Sequence, residues 1–354
     1  MSAVEVWTNG AGMPKAFVNR AQQAEHAGFD GITIVDSQNL SGDCYVALAL
    51  AAHETERIRL GTGVTNPFTR HPAVTACAIA TVHAESGGRA VLGIGRGDSA
   101  LAHLGYAPAP VSVLERYLER LQGYLSGEAV PFDSDTNVSS LGLATVPESS
   151  RIEWIRPGRY PKVPVDVAAT GPKVIRLAAR LADRVTFAVG ADPSRLRWAI
   201  ATAEDARIGA GQRVGSGVYG AYVNVVVNDD PEVARRLGEG GLSLFGRFQA
   251  MYGHTVGPAT AEARQATEAI HDAYDMTRHS RSGSPQTGKI TSEFAGQFGV
   301  FGNAEYCIQR LREVVALGIQ RLVIVGPGRD VDPGAASTAE ARFVEEVLPA
   351  LKST

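Results

Sequence analysis

Two stretches far apart in the chain share one pattern in one register, and that repeat restricts the fold more than any other feature. Ala27-Gly-Phe-Asp-Gly-Ile-Thr-Ile-Val35 and Leu317-Gly-Ile-Gln-Arg-Leu-Val-Ile-Val325 each close a helix at glycine, place an apolar residue next and run into a strand. Gly28 and Gly318 suit the left-handed position just past a helix end, with Phe29 and Ile319 packing back on that helix. The residues before them carry helical apolar spacing: Phe17, Val18, Ala21 and Ala24 in one case, Ile308, Leu311 and Val315 in the other. Ile32–Val35 and Leu322–Val325 are nearly continuous apolar runs, as a sheet buried on both faces requires. A helix–glycine–strand module at both ends of a chain is what a closed cycle of β/α units produces.

Six further strand-like runs complete that cycle: Val4–Thr8, Ile58–Val64, Ala90–Ile94, Val165–Ala169, Val185–Val189 and Gly220–Val227. Helical patterns separate most of them, and eight alternating units predict an α/β chain folded as a single (β/α)8 TIM barrel over residues 1–354. Within Ile58–Ala100 two strands joined by a helix both stop in Gly-, Thr- or Asn-rich turns. Such turns lie at the rim where barrels of this kind do their chemistry. Two stretches exceed the minimal cycle and are expected as insertions, at about 127–164 and 238–297. The first, rich in Ser, Thr, Pro and Gly, reads as an excursion of short strands. The second has a helical part and then the polar run Thr277–Lys289, read either as a mobile lid whose Arg278, His279, Arg281 and Lys289 meet an anionic cofactor tail or substrate, or as a solvated loop.

Composition narrows the partners. A hydrophobic content of 44%, a charged content of 20% and a net charge of −3 are those of an ordinary globular protein. They give no reason to expect nucleic acid or an anionic membrane as partner. No window holds about 18 uninterrupted apolar residues, and the first residues show no basic and apolar leader. Cys44, Cys77 and Cys307 are scattered and odd in number, which argues against disulfides and thiolate metal sites and for a reducing cytoplasm. The expected partner is a small-molecule substrate, with no metal.

The candidate chemistry lies after the strands. Thr170 is read as the cap of a helix opening at Pro172, so that the N–H groups of Gly171, Lys173 and Val174, with the Lys173 ammonium, form an anion site. The next strand ends in a second small-residue turn, Phe187-Ala-Val-Gly-Ala-Asp192, leaving room for a phosphate or a ring. Asp36 and Asp98 each fit two descriptions, a rim carboxylate that binds or moves a proton and a residue satisfying its own turn. His71, before Pro72 at a helix start, is a candidate base.

At these residues the chain resembles the luciferase-like superfamily of flavin- and deazaflavin-dependent oxidoreductases, and most nearly its methylenetetrahydromethanopterin reductase branch, which uses coenzyme F420. The resemblance covers nearly the whole chain. It is tightest over Asp36…Asn39, Tyr45-Val-Ala-Leu-Ala49, Gly61-Thr-Gly-Val-Thr-Asn-Pro67, His71-Pro-Ala73, Gly88-Arg89 and Gly93-Ile-Gly-Arg-Gly-Asp98. It implies a cis peptide at Gly63–Val64 against the deazaflavin ring. It also implies a ring site at Asp36, Gly63, Val64, Thr65, Gly97 and Asp98, and a ribityl-phosphate site at Gly171, Val174, Val189 and Gly190. The histidine that usually follows the second-strand acid is replaced here by Ser37-Gln38, so no histidine relay is expected there.

The reading that results is an F420-dependent oxidoreductase moving a hydride to or from a small or medium organic substrate, with Asp36, Asp98 or His71 handling protons. An FMN-dependent monooxygenase using reduced flavin and O2 is the alternative, and a non-catalytic barrel subunit the second. The resemblance also implies a homodimer, for which Val46–Ala52 offers a flat apolar surface.

Overall fold

The computed structural model describes residues 4–133, 136–155 and 161–353. Eight parallel strands close on themselves: Glu5–Gly10, Gly31–Ile34, Arg59–Thr62, Ala90–Ile94, Val165–Ala169, Arg184–Phe187, Tyr219–Val227 and Arg321–Val325. Closure is made by the last strand against the first, with Leu322 opposite Val6, and by the sixth against the seventh, with Val185 opposite Tyr219. The fold is the (β/α)8 barrel that the alternation predicts.

The two modules that announced it behave as their glycines require. Gly28 and Gly318 have φ of 91° and 103°, the left-handed region open to glycine. The Phe29 N–H donates back to the Ala24 carbonyl at 3.0 Å, closing the helix Ala16–Ala27.

Alternation along the strands decides what fills the barrel. Trp7, Val91 and Val323 form an apolar plug inside it, with Tyr222 packed against them. Gly31 stands opposite Trp7, and a Cβ there would lie 2.3 Å from the indole, so the tryptophan owes its space to that glycine. Below the plug, Glu5 meets Arg59 and Arg184 at 3.5 Å, and Asp166 binds Arg321 and Thr186. Above it the strand ends offer Gly63, Gly95, Ala168 and Ala188, which leave the mouth of the barrel hollow.

The excursion after helix Val111–Leu125 holds a short antiparallel pair, Val130–Pro131 with Ser149–Ser150, and a 3₁₀ turn at Val138–Leu141. Residues 134, 135 and 156–160 of it lie outside the described residues. The second expected insertion differs more from its sequence reading. Helix Pro231–Phe248 follows the seventh strand and runs straight through Gly238, where the insertion was expected to begin. Its run Gly238-Glu-Gly-Gly241 reads as a break in sequence but serves close packing. A Cβ at Gly238 would meet Phe301 at 2.4 Å, and one at Gly240 the Ser280 carbonyl at 2.5 Å. Beyond it come helices Ala261–Asp272 and Ser292–Phe298, then a short strand, Val300–Gly302, paired with the end of the seventh barrel strand.

The polar run Thr277–Lys289 is folded down rather than free. Ser282, Ser284, Gln286 and Thr287 are buried, and the Ser282 N–H donates to the Arg329 carbonyl at 3.1 Å. Gln286 accepts from the Asp275 N–H, tying the start of the loop to its end. Thr277, His279, Ser280 and Arg281 at its start line the cleft described below. Within the run Ser284 Oγ, Gln286 Nε2 and Thr287 Oγ1 donate to the Arg281, Arg278 and Ser284 carbonyls.

Candidate active site

The hollow above the plug widens into a cleft of about 1130 Å³, lined by residues that follow the first, second, third, fourth, fifth, sixth and eighth strands. Its second wall comes from the end of helix Pro231–Phe248 and from residues 276–281. Small-molecule sites span roughly 300–1,000 Å³, so this space accommodates an elongated ligand and a second small one.

Among the sequence candidates, Asp36, Gly63, Val64, Gly97, Asp98, Thr170, Gly171, Lys173 and Val174 line this cleft. The Gly63–Val64 peptide is cis, as the resemblance implies. Asp36 is only 3% exposed and its oxygens are fully engaged. Oδ2 accepts from Thr65 Oγ1 at 2.7 Å and Arg70 Nη1 at 2.6 Å, and Oδ1 accepts from Gln38 at 2.8 Å. Gln38 thus bonds to the acid from the segment where the branch usually has histidine. Burial is the largest single influence on Arg70 and works against its charge, but the bond to Asp36 and the Asp36 charge, with smaller help from Cys44 and Tyr45, together raise the guanidinium above its ordinary range. These three partners fix the orientation of the carboxylate at the edge of the cleft. Thr65 lies behind it, fully buried, and reaches the site only through that bond.

Asp98 precedes the short helix Ser99–Ala102 without capping it through its side chain. Its carboxylate instead forms an ion pair with Arg247, 149 residues away. Arg247 lies 4.5 Å from the centre of the Tyr274 ring and 5.5 Å from that of Phe248, joining the carboxylate to the aromatic wall.

At the other end of the cleft stands helix Pro172–Leu181. Gly171, not Thr170, is its N-cap residue, and no side chain caps it. The Thr170 hydroxyl turns away toward the Ala188 carbonyl at 3.5 Å. The backbone N–H groups of Lys173 and Val174, and the Lys173 ammonium, have no partner among the described residues. A Cβ on Gly171 would meet nothing within 4 Å. A bare helix N-terminus, a free ammonium and open space above a glycine together suit an anionic group such as a phosphate.

Three candidates fall elsewhere. His71 does not line the cleft. Its Nδ1 accepts from the Ala73 N–H at 3.2 Å, capping helix Pro72–Glu85, and its ring sits against Tyr124 on the outer helix layer. Burial, with Arg120 nearby, lowers its pKa. The reading of His71 as a rim base is corrected by that placement. Val189 is fully buried, and Gly190, at φ 76°, lies against Phe298; Ala188 just before them is the residue that faces the cleft.

Sequence reasoning missed Arg96, Arg247, Tyr274 and Arg329, whereas His279 and Arg281, offered from the polar run, do line the cleft. For Arg329 a signal was present: Val325-Gly-Pro-Gly-Arg329 is a small-residue turn at a strand end, like the four that were noticed. Arg96 lies within the noticed GIGRG turn, and its guanidinium donates to Tyr252 Oη at 2.6 Å across the cleft mouth. Nothing local marks Arg247 or Tyr274.

With that geometry in place, comparison with known proteins is informative. The family described as luciferase-like monooxygenase matches residues 1–321. This chain belongs to that family. Among curated relatives, the luciferase-like chain is 28% identical to the 5,10-methylenetetrahydromethanopterin reductase of Archaeoglobus fulgidus, over 93% of each. It is 27% identical to an F420-dependent glucose-6-phosphate dehydrogenase of Intrasporangium calvum, covering 96% of this chain and 95% of that one. The solved coenzyme F420-dependent tetrahydromethanopterin reductase of Methanopyrus kandleri superposes with a TM-score of 0.74 at 22% identity, covering 99% of this chain and all of the other.

Proposed function

We propose that this luciferase-like protein is a coenzyme F420-dependent oxidoreductase acting on a small or medium organic substrate. The observation that carries the proposal is the division of the cleft. One end has the uncapped helix at Gly171 with free Lys173, the middle is walled by Gly63, Gly95, Gly97 and Ala168, and the far end is aromatic. That order suits an elongated cofactor with a flat ring and an anionic tail, beside a separate substrate space. The names of the two F420-dependent proteins above support the same choice.

When bound, the deazaflavin supplies or accepts a hydride, and the protein's part is orientation, charge and exclusion of water. Gly63, Val64, Gly97 and Ala168 bound the ring space. Asp36, held by Thr65, Gln38 and Arg70, presents a fixed negative charge beside it. Lys173, with the N–H groups of Lys173 and Val174, holds the phosphate. Phe245, Phe248 and Tyr222 wall off the substrate end.

Titration of the purified chain with F420 and with FMN, followed by cofactor fluorescence, tests the assignment. Saturable binding of F420 at micromolar concentration with no retention of FMN is the expected result. Retention of FMN with no response to F420 overturns it in favour of the flavin monooxygenase chemistry of the wider family.

A further inference from the structure

The cleft wall beside the sixth strand contains a loop that is clamped at its base and held at its tip by a single bond. Residues 249–258 leave the end of helix Pro231–Phe248 and close on themselves, the Val256 N–H donating to the Gln249 carbonyl at 2.9 Å. Loops of this kind, with their ends joined, pack as compact units. The clamp is Arg195, in helix Pro193–Gly209, which stands behind the wall and does not line the cleft. Its guanidinium is buried and spreads three bonds over the loop. Nη1 donates to the Pro258 carbonyl at 2.7 Å, and Nη2 to the Val256 carbonyl at 2.8 Å and to Gln249 Oε1 at 2.5 Å. With its oxygen so fixed, the Gln249 amide turns its nitrogen to the Ala188 and Phe245 carbonyls, both at 2.8 Å. One buried cation therefore joins both ends of the loop to the end of the sixth strand.

The tip is held differently. Met251, Tyr252 and His254 line the cleft, and Tyr252, 66% exposed, makes one hydrogen bond outside the loop: its Oη accepts from Arg96 Nη2 at 2.6 Å. Arg96 follows the fourth strand and is itself fixed by the Ala109 carbonyl at 2.5 Å. In the barrel the fifth strand lies between the fourth and the sixth. A bridge from Arg96 to a loop seated on the sixth strand therefore crosses above the end of the fifth. There stand Gly171 and the uncapped N-terminus of helix Pro172–Leu181.

We propose that residues 249–258 are a strap over the anion end of the cleft, that the Arg96–Tyr252 bond is its latch, and that Arg195 is the residue that positions it. The inference rests on the cofactor reading above and deepens it, since the strap governs how fast a cofactor with an anionic tail enters and leaves. The base stays in place while Arg195 holds both ends, so the passage opens at the tip, by breaking one bond. That bond joins two residues of the chain and forms again over an empty or a filled site. It therefore cancels from the binding equilibrium and acts on both rates alike.

Stopped-flow fluorescence of F420 with the full chain tests the latch. In Tyr252→Phe, at an exposed position, the ring stays and the acceptor is lost. Both association and dissociation should quicken about tenfold or more, the size of a hydrogen bond to a charged group, with Kd held within about twofold. Arg195→Lys, which lacks the fork that spans the three acceptors, should quicken both rates as well. The double variant should be no faster than Tyr252→Phe alone, because Arg195 acts through the latch. Hydrogen exchange of the chain without cofactor reads the clamp separately: in Arg195→Lys the amides of residues 250–256 should exchange about tenfold faster or more, and those of strand Tyr219–Val227 should not. Unchanged rates in Tyr252→Phe, faster dissociation alone with Kd weakened to match, additive rates in the double variant, or unchanged exchange in the loop each overturn the proposal. Retention of FMN in place of F420 strikes the cofactor assignment alone, because its phosphate meets the same helix and the same rates are then read with FMN. Binding of neither strikes both.

Discussion

Gly171 allows the cofactor end of the cleft to be tested without disturbing the barrel. Its backbone, at φ −92° and ψ 157°, is an extended conformation that any L-residue adopts, and a Cβ built there touches nothing within 4 Å. Replacing it with alanine reduces the freedom of the unfolded chain, worth about 0.4–1 kcal/mol in favour of folding. Against this, alanine is a poorer N-cap than glycine by about as much, so the two offset and the melting temperature should stay within about 2 °C. Binding should respond differently. The new methyl projects into the open space at the helix N-terminus, more than 4 Å from other heavy atoms, where the proposed anionic group would stand. Forcing a methyl into a close-packed contact costs about 1–3 kcal/mol, which corresponds to a rise in Kd of roughly 5- to 150-fold. Gly171→Val should bind still more weakly. The assay pairs F420 fluorescence titration with a thermal melt of each apo-protein. Wild-type affinity in Gly171→Val, at unchanged melting temperature, would refute the placement of the anion at this helix.

Arg70→Ala should lower stability by about 3–5 kcal/mol in urea unfolding, because it strands the buried Asp36 charge. Asp36→Asn should cost distinctly less, since Arg70 keeps Asp43 at 3.1 Å, and equal losses would contradict this account of the pair. Acid should destabilise the wild type through His279: its folded pKa, about 4, lies below the unfolded value. Its contribution is therefore complete above about pH 6.5 and lost as pH falls toward 4, amounting to about 3 kcal/mol. His279→Gln should flatten that part of the stability–pH curve, and an unchanged slope would show the histidine is not buried neutral. Val46, Leu50 and Val74, exposed by 62%, 55% and 54% on neighbouring helices, support a homodimer through this face. Light scattering should give twice 37.3 kDa, with Leu50→Glu/Val74→Glu reduced to monomer; a monomeric wild type at micromolar concentration would contradict it.

The barrel was legible because its signals are local. Eight apolar runs and two left-handed glycines are each set by a few neighbouring residues, and every strand appears within a few positions of its expected place. The backbone half of the cleft was legible for the same reason, since small residues at strand ends are written consecutively. Its side-chain chemistry was less so, because partners decide it and partners are distant in sequence. Asp98 looks like a turn residue until Arg247 is brought to it by a different helix. His71 before Pro72 satisfies the pattern for a rim base and for a helix cap equally, and only the packing of its ring against Tyr124 separates them. Gly238-Glu-Gly-Gly241 reads as a breaker because its compensation lies in Phe301, Ser280 and Asn224, which a local window does not contain.

The Trp7 plug has a consequence for the order of events. With the indole filling the barrel and ion pairs beneath it, the cleft has its floor at the plug and opens on the side of the strand ends. A ligand seated on the strand ends at Gly63 and Ala168 would rest on that floor, and one beside Phe245 would stand on the opposite wall. Such an arrangement favours a queue, the inner guest entering first, and product-inhibition kinetics would read its order.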